Sequence, residues 1–283
     1  MKNLRLLLWI FLAVAVSFAA CSKEDDDVDP ENGDNGNGNG EMPTSADTVA
    51  VDNRVAFFRF NGNEDDEDGN TTIGANVQYT FDRHGRENSA YKGTATSGIM
   101  ITDPDELRVS SITVSMWLRA QQMAGGTNFI LSFIDPEMDW NAGYAIWQEG
   151  SERGDTLRYK AVTRHHDSDV FAWTDTDHGV LRDVLFPSSR WYHFVYAYNG
   201  ENSIREMYIN GQQISRDTLI AGDTPMGPIT VPESASIFYI GRNPNTAHEW
   251  IGNYTGDLDD LRIFNVALTE EQVGRIYEAE KPE

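Results

Sequence analysis

The 283-residue sequence predicts an all-β sandwich closed by one short C-terminal helix, on three observations. First, residues 191–214 read as two strands rich in aromatic and β-branched residues, each stopped by Asn-Gly, the dipeptide that most readily takes positive φ in a tight turn. Period-two alternation puts Trp191, His193, Val195 and Ala197 on one face and Tyr192, Phe194, Tyr196 and Tyr198 on the other. Few of these are polar, so the hairpin belongs centrally, with neither face fully in water. Second, residues 112–118 alternate strictly and turn Ile112, Val114, Met116 and Leu118 inward. Third, short strand-like runs recur at near-regular spacing with turn residues between them.

In chain order, residues 1–5 are basic and residues 6–20 almost wholly apolar. An apolar run of about 15 residues is too short for a hydrocarbon core of roughly 30 Å and suits a secretory signal. It ends in Phe18-Ala19-Ala20-Cys21, which resembles a bacterial lipobox, where small residues precede a cysteine that becomes lipidated. Residues 1–20 therefore read as a lipoprotein signal peptide and Cys21 as the lipidation site. Ser22-Lys23-Glu24-Asp25-Asp26-Asp27 resembles the acidic export signal of Bacteroidetes lipoproteins. That likeness implies an outer membrane lipoprotein exposed at the cell surface, touching the membrane through its lipid anchor only. Residues 21–48, rich in Asp, Asn and Gly, cannot bury a core and read as a flexible tether. The folded domain is expected over 49–283.

Within it, residues 55–60 form the expected first strand, followed by short strands at 129–134 and 144–147. Residues 157–163 and 170–173 suggest a hairpin around His165-His166-Asp167-Ser168-Asp169, and 237–241 and 257–264 close the sheets. Thr269-Glu270-Glu271-Gln272 has capping-box spacing, and Val273, Ile276 and Tyr277 make an apolar stripe of helical period. That helix should cover part of a sheet.

Charge and cysteine usage narrow the function. With 45 acidic against 22 basic residues the net charge is -23, which excludes nucleic acid as a partner and suits calcium or neutral polar ligands. Cys21 is the only cysteine, so no internal disulfide can form and any staple must come from packing or metal. Asn61-Gly62-Asn63-Glu64-Asp65-Asp66-Glu67-Asp68-Gly69-Asn70 crowds carboxylates and amides around two glycines. Oxygen-rich loops of this kind suit Ca²⁺, although the spacing is not that of an EF-hand, and a plain solvated turn has the same composition.

Several separated motifs together resemble one family. Phe58-Arg59-Phe60-Asn61-Gly62-Asn63 with Asp66-Glu67-Asp68-Gly69-Asn70 resembles the opening of laminin-G-like, concanavalin A-like lectin/glucanase domains. Asp82-Arg83-His84-Gly85 with Asn88-Ser89-Ala90-Tyr91, the strand 113–118, and Trp191-Tyr192-His193 with Tyr208-Ile209-Asn210-Gly211 are similar to its middle segments. Tyr239-Ile240-Gly241-Arg242 and Gly256-Asp257-Leu258-Asp259-Asp260-Leu261-Arg262-Ile263-Phe264 are similar to its close. The resemblance implies a concanavalin A-like jelly-roll sandwich of two antiparallel sheets. It also implies a structural calcium where the opening loop meets the last strand, with Asp66, Asn70, Asp259 and Asp260 as ligands. Asp68 stands where the family usually has serine. The alternative is that Asp259 and Asp260 only pair with Arg262 or cap loop amides.

Catalytic signatures are sparse. Glycosidases of this fold carry Glu-x-Asp-x-x-Glu on one strand. Here Glu137-Met138-Asp139 follows Pro136 and lacks a third acid. His165, His166, Asp167, Asp175, Asp177 and His178 could meet a transition metal, but adjacent histidines in a polar turn are usually just solvated. Trp140, Tyr144, Trp147, Trp173 and Trp250, with Asn141, Gln148, Asp175 and Asn253 near them, are the candidate glycan-binding residues, each also a normal sandwich core residue. The reading is a non-catalytic surface lipoprotein that binds carbohydrate. A structural or adhesive module that binds protein is the alternative, and a glycoside hydrolase a third. If the expected calcium site is real, calcium raises the melting temperature and Asp259→Ala removes that increment; a melting curve indifferent to EDTA would count against it.

Overall fold

The computed structural model describes residues 46–120, 126–135, 137, 142–150, 157–165, 170–175, 189–244 and 250–283; of residues 150, 157 and 170–175 it describes the backbone alone. The first strands described are β1 (Arg54–Phe58), β2 (Thr72–Ala75), β3 (Tyr79–Thr80), β4 (Ala90–Lys92), β5 (Gly98–Ile101) and β6 (Ile112–Arg119). There follow β7 (Thr127–Ile134), β8 (Gly143–Gly150), β9 (Leu157–His165), β10 (Val170–Asp175), β11 (Trp191–Asn199) and β12 (Ile204–Ile209). The last strands are β13 (Gln212–Thr218), the separate pair β14 (Ile220–Ala221) and β15 (Thr224–Pro225), β16 (Phe238–Ile240), β17 (Ile251–Asn253) and β18 (Asp257–Phe264). Helix α1 (Glu270–Glu280) ends the chain.

Two large sheets result. The first runs β13-β12-β11-β6-β18-β4-β3, with β1 also paired to β18; the second runs β10-β9-β8-β7-β16-β5-β2, with β17 also paired to β7. Among the described pairings β17 on β7 is the parallel one; the rest are antiparallel, as the jelly-roll expectation requires. Ile112, Val114, Met116 and Leu118 of β6 and Phe194, Tyr196 and Tyr198 of β11 face the second sheet, where Ile130, Phe133, Ile146 and Tyr159 meet them. Burying each such side chain stabilises by about 1.5–3 kcal/mol, so period-two alternation on the central strands is the main term specifying register.

The outer face of the first sheet is also covered. Val195, Tyr208 and Phe264 pack there against Ala46 and Val49 at the chain entry and against Leu268, Val273 and Ile276 of the C-terminal segment. This is why β11 shows apolar residues on both faces. The helix begins with the expected capping box, the Thr269 side chain accepting from the Gln272 N–H and the Gln272 side chain from the Thr269 N–H. Ala46 and Asp47, ahead of position 49, are already buried.

Two local expectations need revision. The first strand stops at Phe58 rather than 60, because Phe60 adopts φ 57° and swings its ring into the core, stacked 5.7 Å from Phe58. The two Asn-Gly pairs also differ in kind. Asn210 and Gly211 take φ 50° and 74°, the paired positive values of a type I′ hairpin. Asn199-Gly200 does not: the Asn199 side chain accepts from the N–H of Glu201 and of Asn202, and the positive φ falls on Ser203. Gly200 is required by space, since a Cβ there would clash with the Ser110 carbonyl oxygen and the Pro228 backbone. Gly200→Ala should therefore destabilise the domain by about 1–3 kcal/mol. Gly274→Ala in α1, where an added methyl meets nothing within 4 Å, should stabilise it by about 0.5–1 kcal/mol. Urea unfolding of both variants checks the pair, and a neutral Gly200→Ala would refute the steric reading.

Candidate functional site

β18 carries the residues on which the sequence centred the expected metal. Strict alternation would turn Asp260 into the core beside Leu258. Instead the pairing of β18 with β6 slips between Asp259 and Arg262, and Asp260 takes φ 44°. This extra residue is a β-bulge. It returns Leu261 and Ile263 to the core and leaves Asp259, Asp260 and Arg262 buried together on the outer face of the first sheet.

Two arginines meet them there. Arg83, from the turn after β3, ion-pairs with Asp259 through Nη1 and with Asp260 through Nη2 at 2.6 Å, while its Nε donates to the Glu280 carbonyl at 2.8 Å. Arg262 Nη2 donates to Asp47 Oδ1 at 2.9 Å and lies 2.6 Å from Glu280 Oε1. Trp117 Nε1 donates to Glu280 Oε2 at 2.9 Å, and the Arg83 guanidinium stands 4.9 Å over the Trp117 ring. Burial, followed by the neighbouring Asp260 charge, pushes the Asp259 carboxyl well above the usual range against the pull of Arg83. Burial also raises Glu280, with Arg262 opposing. For Arg262, burial works against the charge, but Glu280, Asp260 and Asp47 outweigh it and raise the pKa.

The opening loop is likewise committed. Asp66 Oδ1 accepts from the N–H of Phe57 at 2.5 Å and of Asp68 at 3.3 Å, and Oδ2 from the Asn70 N–H at 3.1 Å and the Asn70 side-chain amide. Burial raises the Asp66 pKa and these four donors oppose the shift. The Asn70 amide also donates to the Val55 carbonyl at 2.8 Å. Asp68 takes Arg54 bidentately, at 2.8 and 3.0 Å, and Arg59 pairs with Glu67 and, at 3.2 Å, with Asp47. Arg54, Arg59 and Arg262 lie 4.6, 4.4 and 4.0 Å from the centroid of the Phe57 ring.

These donors do not fit a bound calcium. The ion needs six to eight oxygens converging on one point. Here both Asp66 oxygens are filled by N–H groups, and Asp259 and Asp260 face a guanidinium. Among the described residues no three His, Cys, Asp or Glu side chains are placed to hold a metal.

The aromatic candidates separate by burial. Tyr144 is 2% and Trp147 4% exposed. Tyr144 fills the main core, with its hydroxyl donating to the Leu107 carbonyl at 3.0 Å. Trp147 packs with Phe129, Val162 and Ile251, and its Nε1 donates to Glu149 at 2.9 Å. Their burial corrects the ligand-binding expectation: neither presents a face to a sugar. Trp173 lies on β10, where only the backbone is described, and Trp140 lies outside the described residues. Trp250, 52% exposed, stands just ahead of β17.

His165 is a buried histidine bonded to Thr163 and to the Gly227 carbonyl. His166, Asp167, Asp177, His178 and Asp139 fall outside the described residues, as does the side chain of Asp175. Sequence reasoning passed over Arg83 and Glu280. Arg83 sat in a quoted motif, but nothing local marks it as the partner of residues 176 and 177 positions away.

Two large packed β-sheets of this order define a jelly-roll sandwich. Residues 92–274 match the laminin-G-type profile described as the concanavalin A-like lectin/glucanases superfamily, and the chain belongs to that superfamily. Similar solved structures include the receptor binding domain of botulinum neurotoxin mosaic serotype C/D, at 14% identity and TM-score 0.56, covering 81% of this chain and 51% of that one. The binding domain of botulinum neurotoxin DC in complex with rat synaptotagmin II matches at 12% identity and TM-score 0.53, over 80% of this chain and 51% of that one. A botulinum neurotoxin type C structure, of a toxin dependent upon two ganglioside molecules to enter cells, matches at 11% and 0.54, over 82% and 52%. The chain thus spans about half the length of these neighbours, and at such identities the likeness carries the fold alone. No curated protein matches the chain by sequence.

His193 gives the site a measurable titration. It is fully buried against Trp117 and Tyr277, with ring centroids 5.3 and 6.0 Å away; its Nε2 bonds Ser115 Oγ at 2.8 Å and its Nδ1 has no hydrogen-bond partner. Burial, then Arg262 and Arg83, lower its pKa to about 3, with Asp260 opposing. The unfolded chain takes up this proton near pH 6.5 and the folded chain does not. His193 therefore costs no stability above pH 6.5, and its contribution falls by up to about 1.4 kcal/mol per pH unit between 6.5 and 3. The difference in unfolding free energy between wild type and His193→Gln should change over that window and be flat above it. A difference constant with pH would show that the imidazole does not titrate this way.

Proposed function

We propose that the domain is a non-catalytic carbohydrate-binding module of a surface lipoprotein, held by lipid at Cys21 and set off from the outer membrane by residues 21–48. The observation that carries this reading is Trp250. Its indole is half exposed on a segment held by amides: Asn243 Nδ2 donates to the Ile251 carbonyl at 3.0 Å, the Asn243 N–H to Asn253 Oδ1 at 2.9 Å, and Asn253 Nδ2 to the Ala95 carbonyl at 2.9 Å. A half-exposed tryptophan beside a strand held in this way suits stacking on the C–H face of a pyranose. The net charge of -23 favours a neutral glycan over an anionic one. The superfamily's lectin members and the ganglioside-dependent neurotoxin support the reading by analogy.

A second reading, a structural or adhesive module that binds protein, is favoured by the half-exposed side chains of Phe81 and Ile220 and by the synaptotagmin complex of one structural neighbour. The test is a glycan array probed with the chain lacking residues 1–21. Saturable binding to a neutral glycan, weakened at least about tenfold by Trp250→Ala, is the expected result. Silence from protein shown to be folded would transfer the weight to the protein-binding reading.

A further inference from the structure

The disagreement between the expected calcium ligands and their actual partners carries an inference of its own. We propose that Arg83 and Arg262 take the place of the metal, forming an ionic clasp that joins the chain entry and the C-terminal helix to the last strand.

Four elements converge on these two guanidiniums. Arg262 belongs to β18 and reaches Asp47 at the chain entry and Glu280 at the end of α1. Arg83 comes from the turn after β3 and reaches Asp259 and Asp260 on β18 and the Glu280 carbonyl. Both arginines are buried, as are Asp259 and Glu280. A guanidinium suits this better than an ammonium, because it holds its charge when buried and presents several donors in one plane. One Arg83 side chain thus serves three acceptors, a connectivity that a metal would otherwise supply.

The opening loop shows the same exchange. Asp68, which stands where the family usually has serine, is taken bidentately by Arg54, and Glu67 is taken by Arg59. Arg59 also touches Asp47, so the loop and the clasp share one carboxylate. Asp47 lies where the chain enters the domain, and a pull on the preceding residues would load Arg262 and β18 through it. In a chain without an internal disulfide, this is the staple.

The test is thermal unfolding of the full chain in calcium and in EDTA, with terbium luminescence sensitised by tryptophan as the probe of metal binding. The wild type should melt at the same temperature in both and show no saturable terbium signal. Arg83→Met should lower the melting temperature by roughly 10 °C, and Asp260→Asn should do less. The double variant should fall short of the sum of the two, as directly paired groups do. A calcium-dependent rise in the wild type that Asp259→Asn abolishes would overturn the proposal, as would additive effects of the two substitutions. If Arg83→Met does not fold, the same cycle run with Arg83→Lys and Asp260→Asn gives the same decision.

Discussion

One extra residue in β18 governs the outer face of the first sheet. The bulge at Asp260 breaks the two-residue period, so a strand that alternates core and exterior places three charged side chains on the same side. Leu261 and Ile263 keep their core positions. Without the bulge, either Asp260 would enter the apolar core unpaired or Leu261 would leave it, and both alternatives cost several kcal/mol. Once Asp259, Asp260 and Arg262 share one face, opposite charges and donors must come from elsewhere, and Arg83, Asp47, Glu280 and Trp117 provide them.

The outer face of that sheet is consequently divided. At one part, Val195, Tyr208, Phe264, Val273 and Ile276 make an apolar contact that holds α1 by area alone. Beside it, the ionic cluster holds the helix end and the chain entry by geometry. Apolar burial is non-directional and supplies the stabilisation. Buried ion pairs add little net energy against an apolar replacement, yet breaking one is costly, so they fix orientation. His193, packed against both Trp117 and Tyr277, is held neutral first by burial and then by the two guanidiniums beside it. The clasp sits on the first sheet, whereas Trp250 precedes β17, which pairs with β7 of the second.

Much of the architecture was legible in the sequence alone. Local rules carried it: period-two alternation in residues 112–118, the apolar faces of residues 191–198, the capping box at Thr269 and the hairpin at Asn210-Gly211 each depend on neighbours a few positions away. Two things were decided only by the tertiary structure. The first is which aromatics reach the surface: Tyr144, Trp147 and Trp250 look alike in sequence, and only sheet packing buries the first two and leaves the third half exposed. The second is what neutralises the acidic residues. A carboxylate in a sequence shows a need for positive charge but not its source, and here the source for Asp259 and Asp260 is an arginine more than 170 positions away, brought alongside by the pairing of β3, β4 and β18.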